Sequence, residues 1–206
     1  MTTYKKLVIS PHIDDEVLGC GGILDETTFV LECGVDQFHV VSRKERLKEL
    51  RKAQALLGFE YKVLTNLVNN YEVPVLIDQL SDVINQVQPD KVFIPYPSYN
   101  QDHQAVYKAS LIALRPHDIN FFVKKVLVYE QPHVFLWDYS HHKDTSFKPN
   151  YFEEIDVDRK IEAYQCIKSQ VRTFRDPEFV RELASVRGRQ ANCKYAEAFE
   201  ILRWVE

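Results

Sequence analysis

At residues 6–22 the chain reads KLVISPHIDDEVLGCGG. The apolar segment Lys6–Ser10 is typical of a buried β-strand, and a proline follows it directly. His12, Asp14 and Asp15 therefore stand where a strand ends and a helix begins. Open α/β sheets place their active sites at this edge. Histidine and aspartate at this spacing suit a zinc ion, and a spare carboxylate suits a general base, so this stretch predicts metal-dependent hydrolysis.

Segments with strand character alternate along the chain with segments of helical periodicity. We predict strands at Lys6–Ser10, 37–42, 61–64, Lys91–Pro95, 123–130 and 199–204, and helices at 16–29, 44–57, 75–87, 104–114, 161–171 and Pro177–Gln190. Alternating βα units of this length are typical of a parallel sheet with helices on both faces. The sequence therefore predicts one domain over residues 1–206, an α/β fold with a three-layer α/β/α sandwich and a Rossmann-like, mostly parallel sheet.

Composition excludes several functional classes. The 206 residues are 45% hydrophobic and carry a net charge of −4, which is ordinary for a globular protein and gives no support for nucleic-acid binding. No apolar run approaches the roughly 20 residues of a membrane span, and no signal segment precedes the first strand, so we expect a cytoplasmic protein. Four scattered cysteines indicate reduced thiols. The glycines of residues 19–22 lack the spacing of a dinucleotide-binding fingerprint.

A second polar cluster follows another predicted strand. Residues 96–103 read YPSYNQDH and come directly after Lys91–Pro95. If both strands lie in one parallel sheet, His103 can join His12 and Asp15, and three protein ligands with an open fourth position are typical of catalytic zinc. Asp14 would then take a proton from the attacking water. Helix capping is the alternative for both clusters, because acidic residues are favoured at helix N-termini.

The two clusters resemble the motifs of one enzyme family. The sequence PHIDDEVLGCGG at 11–22 resembles the Pro-His-Pro-Asp-Asp-Glu signature of the LmbE-like, or PIG-L, family of zinc-dependent N-acetylglucosamine deacetylases, and NQDH at 100–103 resembles its second metal motif, His-x-Asp-His. Further similarity lies at 46–49, 57–58, 158–160, 168–170, 187–189 and 195–199. The resemblance thus covers nearly the whole chain and implies the LmbE-like version of the predicted fold.

The resemblance also implies a reaction and a set of roles. Zinc would be held by His12, Asp15 and His103, and Asp14 would be the general base in the hydrolysis of an acetamide on a small amino-sugar substrate. Asp102 would orient a ligand or neighbouring main chain. Arg46 is either a substrate contact or a solvated helix arginine. Iron, cobalt or nickel are alternatives to zinc at such a site, and assembly into a homo-oligomer is left open.

Three departures from the family pattern affect these expectations. Ile13 replaces a proline, which changes local rigidity. Asn100 stands where many members carry a histidine, and because an amide does not titrate near neutrality, Asp14 would serve as both base and acid unless another group assists. The candidates for that help are Tyr99, His133, His141 and His142. Residues 41–43 replace a longer loop near the substrate, which would reshape the sugar pocket.

Two other functions remain as alternatives at this point. The first is a metal-dependent amidohydrolase that acts on a non-sugar metabolite. The second is a catalytically silent, metal-containing carbohydrate-binding protein, an option that the replacement at Asn100 keeps open.

Overall fold

A computed structural model describes residues 4–35, 41–116, 121–132 and 147–206. Most of the predicted strand 37–42 lies outside these residues, as do His133, His141 and His142. The described strands are β1 (Lys6–Ser10), β2 (Thr28–Gly34), β3 (Glu60–Asn66), β4 (Lys91–Pro95), β5 (Lys125–Tyr129), β6 (Tyr151–Glu154) and β7 (Ala196–Trp204). The described helices are α1 (Asp15–Cys20), α2 (Arg43–Leu57), α3 (Val73–Val87), α4 (Gln101–Ala113), α5 (Val157–Cys166) and α6 (Pro177–Gln190), with a short 3-10 turn at Lys168–Gln170.

The strands form one seven-stranded sheet in the order β3-β2-β1-β4-β5-β7-β6. All pairs from β3 to β5 are parallel, whereas β7 runs antiparallel to both β5 and β6. The strand order reverses between β1 and β4, which pair directly from Lys6 opposite Lys91 to Val8 opposite Phe93. This is the switch point at which parallel α/β sheets bind ligands.

Two hydrophobic cores, one on each face of the sheet, define the three layers. Leu7 and Ile9 of β1 pack with the apolar residues of α3 and α4, while Val8 between them packs with those of α1, α2, α5 and α6. This alternation follows from the two-residue period of a strand. The predicted α/β/α sandwich with a mostly parallel sheet is therefore confirmed.

The predicted helix at 16–29 is wrong in extent. The helix α1 ends at Cys20, and Thr28–Gly34 is a strand whose residues Thr28 to Glu32 pair with β1. The side chain of Asp25 closes the connection by accepting hydrogen bonds from the backbone N–H and the hydroxyl of Thr27. The β-branched and aromatic residues that follow favour a strand. Of the predicted strand at 37–42, the two described residues, 41 and 42, are not in a strand.

Smaller differences affect three other elements. The helix predicted at 104–114 begins at Gln101. Asp102 and His103 therefore lie in its first turn, whereas the prediction placed them just before the helix. The helix predicted at 161–171 spans Val157–Cys166. The four-residue strand β6 was not predicted, because so short a segment carries little periodicity. The predicted C-terminal strand does join the main sheet, as β7.

The glycine-rich end of the first motif serves packing. A β-carbon on Gly19 would lie 2.2 Å from the Tyr129 ring, whose hydroxyl donates to the carbonyl oxygen of Ile9. A β-carbon on Gly22 would similarly lie 2.3 Å from Ile155. These glycines let α1 approach β5 and the segment before α5 closely. Among the described residues, none of the helices combines the length and apolar character needed to cross a bilayer.

Candidate metal centre

The candidate site lies at the carboxyl ends of β1 and β4. After β1, the chain turns through residues 11–14 into α1, of which Asp15 is the first residue. After β4, Asn100 caps α4, and His103 lies in the first turn of that helix. Because β1 and β4 are neighbours in the sheet, these two turns meet. The juxtaposition expected from the sequence is therefore present.

Two predicted ligands, His12 and His103, each place a ring nitrogen next to one carboxylate oxygen of the third, Asp15. Asp15 Oδ2 lies 3.2 Å from Nδ1 of His12 and 3.2 Å from Nε2 of His103. The backbone N–H of His12 also donates to this oxygen, at 3.0 Å. Each of the three residues offers one ligand atom, and these atoms lie within 4.8 Å of one another.

This donor set fits a divalent metal ion. Two imidazoles and one carboxylate are a ligand set of catalytic zinc sites, in which metal–ligand distances are about 2.0–2.2 Å. Tetrahedral ligands at those distances stand roughly 3.3–3.6 Å apart, close to the separations observed around Asp15 Oδ2. Asp15 and His103 are each 2% exposed, so solvent competes little for these ligand atoms.

Asp102 holds the His12 ring from the opposite side. Its Oδ2 accepts from Nε2 of His12 at 2.8 Å and from the backbone N–H of Asn69 at 2.7 Å. Because a carboxylate only accepts, Nε2 carries the hydrogen and Nδ1 is the atom directed at Asp15. Tyr71 lies against the same imidazole, with ring centroids 6.1 Å apart, and its hydroxyl donates to the carbonyl oxygen of Pro11. Asp102 is thus placed to orient a metal-binding histidine.

The backbone of Asp14 is strained. Its φ of 136° and ψ of −28° are rarely adopted by a residue with a β-carbon, and such conformations cost about 1–3 kcal/mol. The Glu16 carboxylate accepts from the Asp14 N–H at 2.9 Å, and the Asp14 carbonyl oxygen accepts from the Leu18 N–H at 2.8 Å. Strain maintained by such contacts is concentrated at functional sites.

The Asp14 side chain lies between two arginines. Its Oδ2 is 3.0 Å from Nη2 of Arg175, and its Oδ1 is 4.0 Å from Nη2 of Arg46. Burial raises the pKa of Asp14, and the charge of Arg175 partly opposes that rise. A carboxyl group with a raised pKa is a stronger base than an ordinary one. Asp14 is therefore suited to accept a proton.

The two proposed ligands next to Asp14 have their pKa values shifted in opposite directions. Burial raises the pKa of Asp15, but the charge and hydrogen bond of His103 and the hydrogen bond of His12 hold it well below its usual range. Burial lowers the pKa of His12, but hydrogen bonds to Asp102 and Asp15 outweigh burial and raise it to about 10. Without a metal, the positive charge on His12 thus stabilises the surrounding carboxylates.

Arg46 is not a solvated helix arginine. It is 2% exposed, and its guanidinium donates to the carbonyl oxygen of Ile13 and, at 3.0 Å, to the hydroxyl of Ser169. Glu49 accepts from the N–H and hydroxyl of the same Ser169. These bonds tie α2 to the turn before Asp14 and to the 3-10 turn. A contact of Arg46 with substrate stays a prediction.

Asn100 acts as a helix cap. Its side-chain oxygen accepts from the Asp102 N–H at 2.8 Å. Tyr99 beside it is 50% exposed at the rim of the site. Of the four groups considered as helpers to Asp14, Tyr99 is the one that the described residues include.

One cavity of about 270 Å³ contains these groups. Its size is slightly below the range for small-molecule sites, about 300–1,000 Å³. Phe174, 56% exposed, stands at its rim with Tyr99. The cavity is lined by His12, Asp14, Asp15, Arg46, Val68, Asn69, Tyr99, Asn100, His103, Gln170, Phe174 and Arg175.

Sequence reasoning missed several of these residues. Arg175 and Phe174 come from the segment before α6, which has no strand or helix periodicity and lies far along the chain from the motifs. Asn69 contributes its backbone N–H to Asp102, and because nearly every residue has such a group, the residue type does not indicate this role. Gln170 belongs to a segment of family similarity, but nothing in that similarity indicated a place in the cavity.

Comparisons with known proteins bear on this site. No family model matches the chain. A curated relative, described as the uncharacterized deacetylase YaiS of Escherichia coli (strain K12), is 29% identical over 167 residues, which cover 72% of this chain and 80% of the relative.

Solved structures share the fold over nearly the whole chain. The conserved protein TT1542 from Thermus thermophilus has a TM-score of 0.81 at 23% identity, covering 98% of this chain and 96% of its own. The N,N′-diacetylchitobiose deacetylase from Pyrococcus horikoshii has a TM-score of 0.73 at 22% identity, covering 97% of this chain and 84% of its own. GalB, a 4-carboxy-2-hydroxymuconate hydratase from Pseudomonas putida, has a TM-score of 0.73 at 22% identity (98% of both chains).

These findings confirm the resemblance to deacetylases of the LmbE-like, or PIG-L, type, which was inferred from the two motifs. The sequence relative and one of the structural neighbours above are named as deacetylases. The hydratase among the neighbours means that the fold by itself does not determine the reaction. The chemistry of this chain must therefore be argued from its own site.

Proposed function

We propose that this chain, which is similar to the LmbE-like deacetylases in sequence and in fold, is a metal-dependent hydrolase that removes the N-acetyl group from a small amino sugar or sugar conjugate. The observation that carries the proposal is the convergence of His12, Asp15 and His103 in one cavity, with the Asp14 carboxylate on its wall. We propose these three residues as the metal ligands and zinc as the metal, because this ligand set with an open position is typical of catalytic zinc.

When bound, the metal would activate a water molecule and polarise the amide carbonyl. Asp14 accepts a proton from the attacking water, whose oxygen bonds to the carbonyl carbon. Asp14 then returns that proton to the amide nitrogen as the C–N bond breaks, which gives acetate and a free amine. Asn100 does not titrate near neutrality, so one carboxyl group serves in both transfers. Asp102 keeps the His12 ring oriented throughout.

The cavity is the main support for a sugar substrate. Tyr99 and Phe174 present exposed rings at its rim, and aromatic faces pack well against the C–H groups of a sugar ring. A volume of about 270 Å³ suits one sugar-sized unit, with the rest of a conjugate outside. The open, polar cavity next to Asp14 favours catalysis over a silent binding function.

We also propose that residues 1–206 form one deacetylase domain located in the cytoplasm. All four cysteines are free thiols, which suits a reducing compartment.

Product analysis tests this proposal. Protein freed of metal and reloaded with zinc would be incubated with N-acetylglucosamine, N,N′-diacetylchitobiose and, as non-sugar amides, N-acetylated amino acids. We expect acetate and free amine in equal amounts from an acetylated sugar, products that a hydration would not yield. Chelation should abolish the reaction.

The matched variants are Asp14→Asn and, as a control on the exposed face of α3 and outside the cavity, Asp82→Asn. Loss of a general base lowers turnover by about 100- to 10,000-fold, so we expect Asp14→Asn to keep its metal and lose most activity. Near-normal turnover in Asp14→Asn would rule out the general-base role. Absence of amine release from every acetylated sugar would rule out the proposed function.

A further inference from the structure

An arginine outside every motif contacts the proposed general base. Arg175 Nη2 lies 3.0 Å from Asp14 Oδ2, and the two side chains are 12% and 5% exposed. We propose that Arg175 is a positioning residue for the hydrolysis, which holds Asp14 by Oδ2 and directs Oδ1 at the reacting water. This inference rests on the proposed function and adds a residue that neither motif contains.

The Arg175 guanidinium is itself held in place. Its Nη2 also donates to the side-chain oxygen of Gln170 at 2.9 Å. The buried hydroxyl of Tyr164 donates to the carbonyl oxygens of Arg175, at 2.8 Å, and Gln170, at 3.0 Å. A backbone bridge pairs Arg172 with Arg175. The arginine is therefore held in place at the wall of the cavity, next to Asp14.

The contact with Arg175 gives the two carboxylate oxygens of Asp14 different surroundings. Oδ2 is engaged by Arg175, whereas Oδ1 lies 4.0 Å from Nη2 of Arg46, beyond hydrogen-bond distance. The backbone of Asp14 is fixed separately, by the carboxylate of Glu16 and the N–H of Leu18. Backbone contacts alone leave the side-chain torsions of an aspartate unfixed, and Arg175 supplies the missing restraint.

The identity of residue 100 explains why this restraint matters. With an asparagine there, the proposed mechanism uses Asp14 for both proton transfers. One oxygen must then stay within reach of the water and afterwards of the amine nitrogen. Misplacement of a reacting group by about 1 Å can cost about 100-fold in rate. A group that fixes Asp14 should therefore act on kcat and leave substrate binding nearly unchanged.

The test compares Arg175→Ala with Arg172→Ala, a control in the same segment whose side chain does not line the cavity. Both would be made in the zinc-loaded full chain and assayed with the acetylated sugar on which the wild type is most active. We expect Arg175→Ala to remain folded and to keep its zinc and a KM within about twofold, while kcat falls about 100-fold. Millimolar guanidinium chloride should restore part of kcat in Arg175→Ala and in no other variant.

A crystal structure of Arg175→Ala provides a readout independent of activity. We expect the Asp14 carboxylate to leave its wild-type orientation while the three proposed ligands stay in place. An unchanged kcat in Arg175→Ala would overturn the inference, as would loss of zinc or failure of guanidinium to rescue, since these mark a merely structural role. The proposed function is judged separately, by wild-type activity, and an inactive wild type would overturn both.

Discussion

Asp102 Oδ2 accepts a hydrogen bond from Nε2 of His12 at 2.8 Å, so that Nδ1 of the same ring faces Asp15. This is the carboxylate–histidine arrangement that orients metal-binding imidazoles, and its removal typically costs 10- to 100-fold in metal affinity. We therefore expect Asp102→Ala to weaken zinc binding by about 10- to 100-fold, as measured by competition with a chromophoric chelator. The control is Lys108→Ala on the exposed face of α4. Equal affinities for the two variants would contradict this role.

Zinc binding should release a proton from His12. With a pKa raised to about 10, this imidazole is protonated at neutral pH, and a metal ligand must be neutral. The apparent zinc affinity should therefore rise about tenfold per pH unit between pH 6.5 and 8 through this group alone. Calorimetry in buffers of different ionisation enthalpy counts the released protons. A pH-independent affinity with no proton release would contradict the assignment.

The same shift predicts how the metal-free chain responds to alkali. A pKa raised in the folded state stabilises the fold fully below the unfolded value of 6.5, and that contribution is lost as pH rises through about 10. We expect the thermal midpoint of the metal-free protein to fall between pH 7 and 10 by more than that of His12→Gln. A fall of the same size in both proteins would exclude His12 as its source.

Replacement of Arg46 should lower stability. This guanidinium is buried among Ile13, Ser169 and Glu49, and removal of one partner from a buried charged network costs about 3–5 kcal/mol. We expect Arg46→Ala to lower the free energy of unfolding by about 3 kcal/mol in urea titrations. Arg51→Ala, on the exposed side of α2, should change it by less than about 0.5 kcal/mol. A stable Arg46→Ala with a raised KM would instead make Arg46 a substrate contact.

The aromatic rim should contribute to substrate binding. Tyr99 and Phe174 are 50% and 56% exposed at the mouth of the cavity, and a packed aromatic ring contributes about 0.5–1.5 kcal/mol. We expect Tyr99→Ala and Phe174→Ala each to raise KM for an acetylated sugar by about 2- to 10-fold, with kcat nearly unchanged. Leu111→Ala, an exposed residue of α4 outside the cavity, is the control. Unaltered KM values would remove the rim from the substrate site.

The fold could be predicted where local pattern and tertiary context agree. The predicted bounds are correct for three elements, Lys6–Ser10, Lys91–Pro95 and Pro177–Gln190. A proline marks a boundary of each: Pro11 follows the first strand, Pro95 ends the second, and Pro177 begins the helix after its capping aspartate. The prediction was wrong at 16–29, where Ile23 and Leu24 continue the apolar pattern of the helix past the glycines before a polar turn. There the turn at Asp25 and the pairing of β2 with β1 decide the outcome, and both depend on contacts that periodicity does not contain.

The residues of the two motifs could be brought together from the sequence, since they follow strands that a parallel sheet places side by side. Arg46 was harder to interpret, yet it stands on the same helical stripe as Leu50, Ala53 and Leu57, four, seven and eleven residues further on. That spacing indicates burial. Arg175 could not be predicted, because it reaches Asp14 from a segment whose path depends on Tyr164 and on the packing of α5 and α6.

The most direct test of the metal centre is anomalous diffraction at the zinc absorption edge from crystals of zinc-loaded protein. We expect one strong peak about 2.0–2.2 Å from Nδ1 of His12, a carboxylate oxygen of Asp15 and Nε2 of His103. Asp14 should face the remaining position without binding the metal. Absence of a peak among these three residues, or a peak only elsewhere on the protein, would show that they do not form the metal centre.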